Sequence, residues 1–163
     1  MENWNSKPTV QKGNFGEEIV RRHLEKFGWI VYEPKTAGAH AFDKLCVRDK
    51  KEVCIVEVKS KARMTKYNAT GFNTRHLNEY KFIQDKYGID VFCFFVDEGL
   101  GKIYGQSLSN LMQEYKAEDG TYPKIIGSVT VFSLEVMKDI AILTDDEIRF
   151  LKDSSTRNYE YAQ

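Results

Sequence analysis

The sequence has little of what stabilises or places a protein by special means. It holds three cysteines in 163 residues (Cys46, Cys54 and Cys93), all inside apolar runs and none at metal-ligand spacing. An odd count so placed argues against a secreted disulfide framework and reads as reduced core residues. No apolar run reaches the roughly 20 residues needed to span a bilayer. The opening MENWNSKPTVQKG is polar rather than signal-like. A cytoplasmic protein with no membrane partner is therefore expected. There is no internal repeat, no low-complexity tract and no Pro/Gly/Ser linker. One domain over residues 1–153 is the simplest organisation, with 154–163 as a flexible tail. Nor is there an excess of charge of either sign: the formal net charge is zero. Total charge alone thus gives no sign of a polyanionic partner.

What is present is an ordinary globular composition, 42% hydrophobic and 29% charged, long enough to bury a substantial core. The charge is unevenly placed. Residues 1–90 carry 17 Lys and Arg against 12 Asp and Glu, and the remainder carries 7 against 12. Much of the basic excess lies in Lys59, Lys61, Arg63 and Lys66. Such a stretch beside an acidic site suits a protein that approaches a polyanion, although an isolated charge run is as often a solvated loop.

Periodicity predicts a helix from Asn14 to Phe27, capped by Asn14 with Glu17 as its capping-box partner and stopped at Gly28. Its buried stripe would be Phe15, Ile19, Val20, Leu24 and Phe27. Trp29 to Tyr32 reads as a short strand. A hairpin follows, with arms Ala41 to Val47 and Val53 to Lys59 about a polar turn at Arg48 to Glu52. Lys61 to Phe72 reads as a mobile loop and Asn73 to Tyr87 as a helix with Leu77, Tyr80, Ile83 and Tyr87 inward. Strands are expected at Asp90 to Val96, Lys102 to Ser107 and Lys124 to Phe132. The first of these is apolar enough to be covered on both faces. Short helices are expected at Leu108 to Tyr115 and Thr144 to Lys152, the latter with Thr144 and Glu147 as its capping pair. The order implies an α/β (α+β) fold, a central mixed β-sheet flanked by helices.

The hairpin holds the most informative residues. Alternation at period two places Val53, Ile55, Glu57 and Lys59 on one strand face. If the arms pair symmetrically about Lys50, Asp43 lies opposite Glu57 with Cβ atoms about 5 Å apart, and a one-residue slip would separate them. Two carboxylates and an ammonium are costly to place together on a buried sheet unless they act jointly. Holding Mg²⁺ or Mn²⁺ beside a phosphodiester would be such a joint role. Asp43, Glu57 and the Val58 carbonyl offer hard oxygen ligands, and Lys59 would stand near the attacking water. Glu17 borders the packed side of its helix and could lean over the hairpin as a second ligand or water anchor. The plainer alternative leaves it closing the capping box.

These residues carry a resemblance. Gly13-Asn-Phe-Gly-Glu17, then Asp43, then Glu57-Val58-Lys59 resembles the PD-(D/E)XK nuclease superfamily, and within it archaeal Holliday-junction resolvases and related phage or plasmid nucleases. The match spans about residues 12 to 97. It implies a restriction-endonuclease-like core and a metal-dependent deoxyribonuclease. Asp43, Glu57, Lys59 and Glu17 would be catalytic, and Asp43, Glu57 and Val58 would hold the metal. The sequence departs from the pattern at Phe42, where the proline of the name would stand, and at Lys44, where an apolar residue is usual. Lys44 should point to the face opposite Asp43.

Around this set, Lys61, Arg63, Lys66 and Arg75 are candidate phosphate contacts. Tyr67, Asn68 and Phe72 could stack or hydrogen bond near the cleft. His76 fits a core-edge role better than a catalytic one, and His40 could approach the metal mouth. The expected partner is DNA, branched DNA in particular, with a possible homodimer since branched substrates usually call for two sites at fixed separation. The competing readings are a nuclease-fold DNA-binding or regulatory protein without turnover, and an interaction protein whose acidic C-terminal half docks on a basic partner.

Overall fold

A computed structural model describes residues 7–35, 42–49, 51–61, 63, 64 and 66–154. His40, Ala41 at the start of the hairpin arm, the turn centre Lys50 and the tail from residue 155 onward lie outside the described residues. Helix α1 runs Pro8–Lys26, and strands β1 (Ile30–Tyr32), β2 (Lys44–Arg48), β3 (Glu52–Ser60) and β4 (Ala69–Asn73) follow. Then come α2 (Thr74–Tyr87), β5 (Asp90–Asp97), β6 (Lys102–Ser107) and α3 (Leu108–Leu111). The last third holds β7 (Tyr115–Ala117), β8 (Gly120–Tyr122), β9 (Lys124–Ile126), β10 (Val129–Ser133), a 3₁₀ turn at Leu134–Val136, β11 (Lys138–Ile142) and α4 (Asp145–Asp153).

Six strands form the main sheet in the order β1-β2-β3-β5-β6-β11. Only β3 and β5 are parallel neighbours, and every other adjacent pair is antiparallel. A parallel pair needs a long crossover, and here β4 and α2 supply it. β5 is central and buried along most of its length, in keeping with its near-continuous apolar sequence. On one face Cys54, Val56, Val58, Phe94, Val96 and Ile103 meet Ile19, Val20 and Leu24 of α1 and Leu151 of α4. On the other, Ile55, Val91, Cys93, Phe95 and Tyr104 meet Leu77 and Tyr80 of α2 together with Phe72 and Phe132. The fold is thus a mixed sheet between helices, as the order of elements implied.

Several boundaries differ from expectation. α1 starts at Pro8 rather than Asn14, with proline in the first turn and no side-chain cap. Proline is well placed there because its missing N–H would have no intrahelical partner. Asn14 and Glu17 are therefore interior residues, and no capping box forms between them. Phe27 is exposed, because Gly28 at φ 83° turns the chain away just after it. Tyr87 is also exposed, beside the left-handed Gly88 that ends α2.

The segment expected as a loop from Lys61 to Phe72 contains β4, which pairs with β10, and Phe72 is core, 1% exposed. It therefore cannot stack on a substrate. The single strand expected at Lys124 to Phe132 is the β9–β10 hairpin, folded at Gly127 with φ 60°. β11, which lacks a clear alternating pattern, adds to the β6 edge through a bulge. α3 is one turn long, and the chain beyond it enters the β7–β8 pair. The Thr144–Glu147 capping box of α4 is present in both directions.

Candidate functional site

The β2–β3 ladder runs from Arg48 opposite Glu52 to Lys44 opposite Val56, the register that symmetry about Lys50 predicted. Asp43 lies one residue beyond the end of this ladder, just before β2 begins, and feels the Glu57 charge. The backbone fixes it there: the Val58 N–H donates to Asp43 Oδ2 at 2.7 Å. Glu57 is 2% exposed. It accepts from Lys59 Nζ on Oε1 and from the Tyr80 hydroxyl on Oε2, the latter at 2.5 Å. Asp43, Glu57 and Lys59 therefore converge on the α2 face of the sheet, toward the C-terminal end of β3.

The electrostatics follow from this crowding. Burial, then the neighbouring Glu57 charge, push the Asp43 pKa up to about 6, against the Val58 N–H and Lys59, which favour its ionised form. Burial works against the Lys59 ammonium, but Glu57, Asp43 and Glu17 outweigh it and hold its pKa above the ordinary lysine value. Lys59 is thus a cation at neutral pH. Tyr80, desolvated and facing Glu57, has its pKa raised and stays a neutral donor.

Glu17 comes to the hairpin from α1, near enough for its charge to be felt by Lys59. As the register requires, Lys44 points to the α1 face, where it is 3% exposed. Its Nζ bonds Glu17 Oε2 at 2.9 Å and Glu33 Oε1 at 3.1 Å. The Glu17 carboxylate therefore leans over the hairpin and is held by Lys44, while its charge also acts on Lys59. Gly16 explains how α1 comes so near: a Cβ there would sit 2.5 Å from Ser60 Cβ at the end of β3. Gly13, the first glycine of the sequence pattern, has nothing within 4 Å of such an atom.

Among the described residues no group of three or more His, Cys, Asp or Glu side chains is assembled for a metal. What the described residues bring together is a buried Glu57 and a half-buried Asp43, two carboxylates that repel each other and offer oxygen ligands. That chemistry fits a hard cation such as Mg²⁺, which uses one or two carboxylates and keeps several waters.

The basic candidates divide into two kinds. Lys61 donates to the Gly71 carbonyl, tying the chain after β3 to β4. Arg63 lies close enough to Asp97 and Tyr104 for its charge to be felt by both. Lys66 is exposed. Arg75 has a side chain 78% exposed, with loose contacts to Glu79 and His76. Tyr67 faces Lys124, whose Nζ lies 3.8 Å from the ring centroid. The Asn68 carbonyl accepts from the Leu134 N–H. His76 packs edge-on against Tyr80, a core-edge role.

Sequence reasoning missed Tyr80 and Lys44 as parts of this site. The helical phase of Tyr80 marked it as inward, but its partner is set by the packing of α2 on β3. The mismatch of Lys44 with an apolar strand position was the available signal for a buried ion pair.

A mixed sheet flanked by helices, with an acidic hairpin beside a parallel strand pair, defines the restriction-endonuclease-like architecture. The chain is similar to the solved structure of Hjc, a Holliday junction resolvase from the archaeal hyperthermophile Archaeoglobus fulgidus. The TM-score is 0.56 at 12% sequence identity, over 78% of this chain and 96% of that one. At this identity the likeness defines the fold. No protein-family model and no curated protein matches the chain. No described helix is long and apolar enough to cross a membrane.

Proposed function

We propose that this chain is a Mg²⁺- or Mn²⁺-dependent DNA endonuclease of the PD-(D/E)XK type, with branched DNA such as a four-way junction as its substrate class. The observation that carries the reading is the convergence of Asp43, Glu57 and Lys59, held by the Val58 N–H and the Tyr80 hydroxyl. The likeness to a junction resolvase fold supports the choice of substrate.

Asp43 and Glu57, with the Val58 carbonyl, would hold the ion, which when bound supplies charge stabilisation to the phosphoryl oxygens and a more acidic attacking water. Tyr80 and Lys59 restrict Glu57 to one orientation, so its carboxylate is ready without rearrangement. Lys59, a cation at neutral pH, is better suited to neutralising phosphate charge in the transition state than to taking a proton first. Glu17, engaged by Lys44, adds its charge to the field at Lys59. Lys66 and Arg75 are the exposed cations that backbone phosphates would meet.

The test is cleavage of four-way, flapped, single-stranded and linear DNA with Mg²⁺ or Mn²⁺, beside Asp43→Ala and Lys59→Ala. The expected result is divalent-dependent cutting of the four-way substrate, lost in both variants while circular dichroism reports a retained fold. Undiminished cutting by either variant would remove the catalytic assignment. DNA binding without cleavage by the unaltered chain would select the binding-only alternative.

A further inference from the structure

The hairpin that carries Asp43 and Glu57 also carries two of the three cysteines, face to face. Cys46 on β2 and Cys54 on β3 are direct ladder partners, both free and buried. Opposed residues of an antiparallel pair hold their Cα atoms about 4.5–5.5 Å apart, inside the roughly 4.4–6.8 Å that a disulfide bridges. Both side chains lie on the α1 face, close enough for each thiol to shift the ionisation of the other. Cys93 lies on the opposite face of the sheet, within the α2-side core. The fold therefore selects one pair of the three possible.

A route to this pair exists. Cys54 lines a cavity of about 290 Å³ whose other walls include His23, Phe27, Arg48, Phe94 and Lys138. Phe27 and Lys138 are exposed, so the cavity is reached from solvent. The neighbouring Cys46 thiol, then the Arg48 charge, favour the Cys54 thiolate over the opposing effects of burial, Asp90 and Glu52, and hold its pKa below the ordinary thiol value. The same pairing, with burial, keeps Cys46 a thiol.

We propose that Cys46 and Cys54 form a reversible dithiol–disulfide modification site, oxidised by a small peroxide that enters through this cavity. The Cys54 thiolate attacks a peroxide oxygen, the O–O bond breaks, and the departing hydroxide takes up a proton as water. The Cys46 sulfur then attacks the Cys54 sulfenic sulfur. The S–O bond breaks, a second water leaves with the Cys46 proton, and the S–S bond forms. Two thiols lose two electrons, and one peroxide gains them. A dithiol reductant reverses the change by exchange. The site stands independently of any nuclease activity, because its readout is covalent.

The experiment treats the folded full chain with hydrogen peroxide, removes the peroxide, blocks remaining thiols with iodoacetamide in urea, and maps peptides without reduction. The expected product is a single Cys46–Cys54 cross-link, with Cys93 alkylated and the bond removed by dithiothreitol. Cys46→Ser should halt the sequence at a Cys54 sulfenic acid, captured by dimedone, and Cys54→Ser should leave Cys46 alkylated. Three alkylated cysteines in the folded chain, under peroxide that links the urea-unfolded chain, would overturn the proposal. So would a cross-link that includes Cys93.

Discussion

Replacing Asp43 by asparagine should make the metal-free protein more stable while removing its activity. Asp43 ionises only against burial and the Glu57 charge, which raise its pKa from 3.8 to about 6. In that interval the native chain keeps a proton that the unfolded chain has released. Stability therefore falls as pH rises through the window, and remains lowered above it. A shift of this size corresponds to about 3 kcal/mol, reduced to roughly 2–3 kcal/mol because Asp43 is partly exposed.

Asparagine removes this cost without losing the geometry. Its carbonyl can still accept from the Val58 N–H, and its amide can donate to Glu57, replacing repulsion by a hydrogen bond. At roughly 2–4 °C per kcal/mol for a chain of this size, the melting temperature in EDTA at pH 7.5 should rise by about 5–10 °C. The gain should shrink toward zero below about pH 4, where Asp43 is protonated in both states. Added Mg²⁺ should raise the melting temperature of the unaltered chain more than that of Asp43→Asn. A neutral-pH melting temperature of Asp43→Asn equal to or below that of the unaltered chain would refute the reasoning.

Three further outcomes follow from named contacts. Tyr80→Phe keeps the ring in the core but leaves Glu57 Oε2 without its buried donor, so stability should drop by about 2 kcal/mol and cleavage by roughly 10–100-fold; unchanged melting and unchanged rate would show that the hydroxyl does not hold Glu57. Lys66→Gln and Arg75→Gln should each flatten the salt dependence of duplex binding by about 0.9 in the log–log slope if each meets one phosphate. An unaltered slope would take that residue off the DNA path. Gly16→Ala gains about 1 kcal/mol of helix propensity but drives a methyl into Ser60, so a net loss of about 1 kcal/mol is expected; a raised melting temperature would mean that α1 can shift outward freely.

The hairpin was legible because its determinants are local. Period-two alternation and a polar turn centred on Lys50 are enough to put Asp43 beside Glu57, and the ladder from Arg48–Glu52 to Lys44–Val56 keeps that register. Strand β5 and the α4 capping box were likewise readable from runs of a few residues. β4 was not, because ATGFN is short, contains glycine, and becomes a strand only by pairing with β10 some sixty residues later. β11 was hidden for the same reason, as an edge strand whose side chains are mostly exposed or half-buried. The start of α1 was misread because Asn14 and Glu17 satisfy a capping pattern that Pro8, six residues upstream, makes unnecessary.

Residue order alone thus placed two acids and a lysine on one face of the hairpin, since alternation along each arm and the register set by a short turn are local properties of the backbone. Which groups surround them came from chain segments far apart in the sequence. Tyr80 reaches Glu57 across 23 residues, and Lys44 holds Glu17 across 27. Partners like these have no local signature, because burial and charge pairing are decided only when helix and sheet come together.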